Sequence, residues 1–207
     1  MERTDARARG DSGAAPCHTL VAMRQLLLLR HAKSSWDDPR LSDHARPLNA
    51  RGKRAASGMA AAMRELGLAP DIVLVSSARR TLQTLEALAP IEGSPLVEPM
   101  DDLYLANWPS LLSVLRGLPE TARSVLLIGH NPGLHELAMA LIGPEGMAGG
   151  NQAALRLADG YPTAALTEFA IALPWRLLEA GGGRILRFMT PADLPSAEAS
   201  DASEITS

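Results

Sequence analysis

Three stretches of this chain place arginine and histidine immediately after short apolar runs. Arg30-His31 follows Gln25–Leu29, Ser76–Arg80 closes the run from Ile72, and Gly129-His130-Asn131 ends the run from Val125. A loop that merely connects two elements requires none of these side chains. The planar guanidinium of arginine grips two phosphoryl oxygens at once, and a neutral imidazole keeps a lone pair that can attack phosphorus. Two arginines and two histidines brought to one place would therefore form a phosphate pocket that carries its own nucleophile.

The elements between them decide whether they meet. From Gln25 the chain alternates short apolar runs with longer segments of helical period, the pattern of a layered α/β domain. Gln25–Leu29, Ile72–Ser76, Val125–Gly129, Ala165–Leu173 and Arg184–Met189 read as strands. One helix is predicted from a cap at Asn49, through an apolar stripe at Ala56, Met59, Met63 and Leu66, to a stop at Gly67. A second follows Ser77 to about Leu88, and a third begins at Asn131-Pro132, where Asn can cap and Pro fits the first turn. Gly181–Gly183 reads as a hairpin turn between the last two strands. In a doubly wound sheet the carboxyl ends of parallel strands line one crevice, and helix N-termini beyond them offer free N–H groups to an anion. All three polar stretches stand at such ends.

Composition narrows the class. Of 207 residues, 46% are hydrophobic and only 3% aromatic, so the core is aliphatic, as suits helices packed on a sheet. A net charge of -3 argues against a general nucleic-acid surface. The single cysteine, Cys17, allows no intrachain disulfide and no thiolate cluster, which points to a reducing cytoplasm. No apolar run is long enough to span a bilayer. Residues 1–22 read as a flexible extension, with Met23 placed to be a natural start; residues 23–190 form the catalytic domain, and 191–207 an acidic tail without an apolar stripe. His18, His44 and His135 lack metal-ligand spacing, and Trp36, Trp108 and Trp175 read as packing or rim residues.

In this order and context, LLLLRHAKSSWDDP, SSARRTLQT and LLIGHNP resemble the motifs of the histidine phosphatase superfamily, whose fold is phosphoglycerate mutase-like. RHAKSSWDD with DHARPLNARG and YPTAAL is most similar to the SixA-type phosphohistidine phosphatases, and the likeness spans roughly residues 23 to 190. It implies a three-layer α/β/α sandwich with a mostly parallel central sheet.

By position, His31 resembles the nucleophile, with Arg30 beside it on the phosphoryl oxygens. The second arginine of the family stands three residues before its Gln-Thr pair; here Gln83-Thr84 puts it at Arg80, leaving Arg79 to solvent or substrate. His130 resembles the second pocket histidine. The general acid of relatives is often a carboxylate in the segment matching EPMDDLYLAN, whose best register gives Asp102, with Asp101 and Glu98 as alternatives. Asp43, Arg46, Pro47, Leu48 and Gly52 match a family stretch that capping, turns and packing explain without catalysis. Ala32 replaces a glycine of the wider family, and Asp37 stands where mutase-like relatives place a phosphate-binding Asn. No role follows for Lys33.

The resemblance implies two in-line transfers, substrate to His31 and phosphohistidine to water, with no metal and no cofactor. It favours protein phosphohistidine, on a partner of the histidine phosphotransfer type, over a small phosphorylated substrate. A phosphomonoesterase and a non-catalytic phosphate-binding module are the alternatives; no capping insertion between Thr84 and His130 suggests a mutase. Nucleic acid and membrane are not expected partners.

Overall fold

The strand β1 (Arg24–Arg30) contains four leucines, Leu26–Leu29, that are all fully buried. A strand apolar on both faces belongs inside a sheet covered on both sides. β1 pairs in parallel with β4 (Ser124–Gly129) and antiparallel with β5 (Leu166–Ile171). With β2 (Ile72–Ser76), β3 (Leu96–Met100) and β6 (Gly183–Met189) the six-stranded order is β3-β2-β4-β1-β5-β6. The β3-β2, β2-β4 and β4-β1 pairs are parallel, and only the β1-β5 and β5-β6 pairs run antiparallel. This computed structural model describes residues 23–195.

Period-2 alternation divides the interior into two cores. Leu27, Leu29, Val73 and Val75 pack under α1 (Ala50–Glu65) and α2 (Arg79–Leu88), whereas Leu26, Leu28, Leu74 and Val125 pack under α3 (Trp108–Arg116), α4 (Gly133–Ala148) and α5 (Gln152–Asp159). The architecture is thus the expected three-layer α/β/α sandwich with a mostly parallel central sheet.

α1 begins where the sequence predicts: the Asn49 side chain accepts the Gly52 N–H at 2.8 Å. Its end is a Schellman turn, with Gly67 at φ 63° donating to Arg64 O and Leu68 donating to Met63 O. Leu66, expected in the apolar stripe, is the exposed C-cap residue instead. α4 also departs from expectation. It starts at Gly133 with Pro132 in the cap position, and the Asn131 side chain donates to Tyr161 O at 2.9 Å rather than capping. The helix kinks at Gly143, whose φ is 64° beside Pro144.

β3, α3 and α5 were not anticipated from sequence. β3 reads Leu-Val-Glu-Pro-Met and is largely exposed, an edge strand whose Pro99 costs no ladder bond. The last two strands do form an antiparallel pair, but their connection contains a 3₁₀ turn, Trp175–Leu177, before Gly181–Gly183. Trp175 is fully buried there and donates to Ala122 O at 2.9 Å. Residues 191–193 make another such turn, closed by Thr190 and Asp193, and Leu194 packs on the core under α1, so this stretch belongs to the folded body and not to the expected tail. The extension 1–22, including Cys17 and His18, and residues 196–207 lie outside the described residues. Among those described, no helix is long and apolar enough to cross a membrane.

Candidate active site

The ends of β1, β2 and β4 do converge. Arg30, His31, Arg80 and His130 line one cavity of about 400 Å³ at the carboxyl end of the parallel strands. Parallel register brings Arg30 opposite Gly129, and the His31 N–H donates to Gly129 O at 3.1 Å, so the two histidines start from adjacent strand ends. Their ring centroids are 5.1 Å apart. Arg80 reaches them from the first turn of α2 and is 3% exposed, whereas Arg79 faces solvent. Arg80, not Arg79, is thus the pocket arginine that the Gln-Thr register predicts. That register has a physical basis: Thr84 Oγ1 accepts the Ala32 N–H at 3.0 Å, and Gln83 Oε1 accepts the Leu48 N–H at 2.7 Å. One turn of α2 therefore fastens the backbone after His31 while its preceding turn supplies the guanidinium.

The hydrogen bonds define the state of each ring. His31 Nδ1 lies 2.8 Å from Ala32 O and donates to it, which leaves the Nε2 lone pair facing the Arg80 Nε–H at 3.3 Å. Arg80 Nη2 lies 3.2 Å from His130 Nδ1, and His130 Nε2 is 2.7 Å from Ser76 Oγ. Burial, reinforced by the Arg80 and Arg30 charges, pushes His31 down to about 4. His130 falls to about 3, again chiefly through burial, then through His31 and Arg80. Both rings are neutral at neutral pH, the form in which a ring nitrogen is a nucleophile. Arg30 donates to Tyr161 O at 2.7 Å, which aims it along the same cavity.

A compact loop closes over this centre. Its neck is the bridge between Ser34 and Leu48, with Ser35 N–H donating to Pro47 O and Asn49 N–H to Lys33 O. The loop delivers Asp43, whose carboxylate is held by Arg46 at 2.8 Å, Arg80 at 2.9 Å and the Tyr104 hydroxyl at 2.8 Å. Burial alone would raise this carboxyl, but the hydrogen bonds from Tyr104 and Arg46 and the Arg80 charge outweigh it and hold it at about 2. Asp43, Arg46 and Tyr104 are members of the site that sequence reasoning did not assign. Only the DHARPLN match singled out the first two, and packing was sufficient to explain it.

The expected acid is not brought in. Asp102 and Asp101 sit exposed in a 3₁₀ turn after β3, Glu98 is exposed on β3, and none of them lines the cavity. The register failed because the turn directs Leu103 into the core and leaves both aspartates to solvent. Asp37 is likewise exposed and lies outside the cavity, so it does not repel an anion there. Lys33 lines the mouth with its side chain largely exposed. His44 meets Ser77 Oγ at 2.9 Å and the edge of Tyr104, and His135 bonds Leu157 O. Among the described residues, no group of three or more His, Cys, Asp or Glu is arranged to hold a metal ion.

Residues 26–104 match the profile of the histidine phosphatase superfamily (branch 1). An uncharacterized chloroplastic protein of Arabidopsis thaliana is 34% identical in an alignment 149 residues long that covers 66% of this chain and 66% of that protein. An uncharacterized protein of Mycobacterium leprae is 30% identical in an alignment 168 residues long that covers 79% of this chain and 99% of that one. Among solved structures, a candidate phosphohistidine phosphatase SixA of Nakamurella multipartitia aligns with a TM-score of 0.71 at 28% identity, covering 82% of this chain and 96% of the other. The protein histidine phosphatase SixA in complex with tungstate aligns at 0.65 and 25% identity, over 82% and 98%.

Proposed function

The chain belongs to the histidine phosphatase superfamily and is of the SixA type, and we propose that this phosphatase works through a covalent phosphohistidine on His31 and takes its phosphoryl group from protein phosphohistidine. The observation that carries this reading is the single guanidinium of Arg80 spanning His31 Nε2 and His130 Nδ1. A phosphoryl group entering there meets the lone pair of Nε2 on one side, while Arg80, Arg30 and His130 surround its oxygens. Nε2 forms a bond to phosphorus as the bond to the leaving group breaks. Water then attacks the phosphorylated His31 and releases inorganic phosphate. Arginine charge supplies the electrostatic stabilisation, and an arginine in such a role contributes about 10³ to 10⁵ in rate. On this reading no metal takes part.

The state of the one carboxylate in the cavity favours a phosphoramidate over an ester. Asp43 is ionised at neutral pH and committed to three donors, so it is a poor source of a proton for an alkoxide. A phosphorylated imidazole whose second ring nitrogen holds a proton leaves as a neutral ring and needs no such acid. A protein bearing phosphohistidine is thus the partner proposed. The SixA neighbour solved with tungstate, an oxyanion, supports the same kind of ligand.

The test is phosphate release by wild type and His31→Ala from a histidine-phosphorylated protein and from an aryl phosphate. The expected result is a strong wild-type preference for the first substrate and no turnover by the variant. Cleavage of the ester alone would make the chain a small-molecule phosphomonoesterase. Phosphate binding without turnover of either would make it a recognition module.

A further inference from the structure

Trp36 is 75% exposed, an unusual position for an indole, and it stands on the rim of the catalytic cavity. It is nevertheless fixed. The Arg46 guanidinium lies against the ring, its Cζ 3.1 Å from the centroid. Arg46 is itself 7% exposed, and its Nε, Nη1 and Nη2 donate to Ser35 O, Asp43 Oδ1 and Ser34 Oγ respectively. A buried cation bonded through each of its three nitrogens thus serves as the bed for an aromatic ring that is otherwise largely exposed. Leu105 lines the same cavity, is 53% exposed, and adopts φ 50°, a left-handed conformation that costs a residue with a Cβ about 1 kcal/mol or more. Every other group named so far around the phosphoryl position is polar or charged, so two displayed apolar side chains at its mouth call for an apolar occupant.

We propose that Trp36 and Leu105 form the leaving-group site, with the indole as a specificity-determining platform on which the flat imidazole of the substrate stacks while its phosphoryl group faces His31. This inference rests on the phosphohistidine reading above and adds the residue that recognises the ring. Stacking on a rigid indole that already packs against Arg46 loses little side-chain entropy. The strained Leu105 backbone is the second wall, directing an aliphatic side chain outward from the turn that follows β3. An ester of a non-planar alcohol gains nothing from such a platform.

The experiment compares a histidine-phosphorylated peptide with phosphoramidate, which carries the same P–N bond and no ring. The expected result for Trp36→Ala is a fall of about tenfold in the ratio of kcat/KM for peptide to that for phosphoramidate, expressed in KM more than in kcat. Trp36→Phe restores most of the ratio, and Leu105→Ala lowers it by a smaller factor. An unchanged ratio in Trp36→Ala overturns the proposal, whether or not both activities fall together, because equal losses mean that the indole only steadies Arg46. Wild type that cleaves neither compound overturns the phosphohistidine reading itself, a result distinct from an unchanged ratio.

Discussion

On the proposed reading, Asp43 competes with the substrate for the same guanidinium. Its carboxylate sits 2.9 Å from Arg80 Nη2 and would repel an entering dianion, yet it also orients Arg80 and Arg46. Asp43→Asn is therefore expected to bind inorganic phosphate several-fold more tightly while turning over more slowly, which calorimetry and steady-state rates together would check. The histidines make a second prediction. Their values of about 4 and about 3 lie below the 6.5 of an unfolded histidine, so in the acid range the unfolded chain binds more protons and stability falls with pH. The loss sets in below about pH 6.5 and continues toward 4 for His31 and 3 for His130; Asp43 adds its own loss only below 3.8. Melting temperatures measured from pH 7 to 4 should fall in wild type and fall less in His31→Asn. The residue-level reading from sequence located Arg30, His31, Arg80 and His130 because each stands beside a strand end, where order along the chain predicts position. Asp43 escaped it because its importance comes from three partners at sequence distances of 3, 37 and 61 residues. No spacing rule detects such a group.

At the scale of elements, α1 comes close to the backbone just after His31. A Cβ on Gly52 would lie 2.1 Å from Lys33 O, a clash with main chain, whereas one on Gly58 would lie 3.1 Å from the flexible tip of Leu194. Gly52→Ala is expected to cost about 1–3 kcal/mol of stability and most of the activity, because it levers the segment after His31 away from α1. Gly58→Ala, in the same helix, is expected to be mild, and denaturant melts of the two variants make the comparison. The elements legible in advance were those with strong periodicity or chemical punctuation, such as α1 between Asn49 and Gly67. β3 was not, because an exposed edge strand has no buried face to impose alternation, and its Pro99 reads as a breaker. The start of α4 was misplaced for a different reason: Asn131 had two possible uses, and the carbonyl of Tyr161, distant in sequence, claimed its side chain.

For the whole molecule, a ligand that binds only the folded state stabilises it, by about 2.7 kcal/mol at a hundred times its dissociation constant. Phosphate or tungstate is expected to raise the melting temperature of wild type and to do so far less in Arg80→Ala, as thermal shift would record. A chelator such as EDTA is expected to leave turnover of wild type intact, and strong inhibition would reinstate a metal mechanism. The strand order also bears on how the protein comes into being. β4 lies between β1 and β2, although it is synthesised after both. Until residues 124–130 emerge and insert, no sheet ladder joins β1, which leads into His31, to β2, which precedes Arg80, and only side-chain bonds such as that from the Ala32 N–H to Thr84 Oγ1 connect the two segments. A nascent chain therefore holds His31 and Arg80 on strands not yet joined by a ladder, and the strand that joins them also brings His130. Catalytic competence should thus appear late and abruptly during translation or refolding, which makes enzymatic activity a reporter of sheet closure as well as of chemistry.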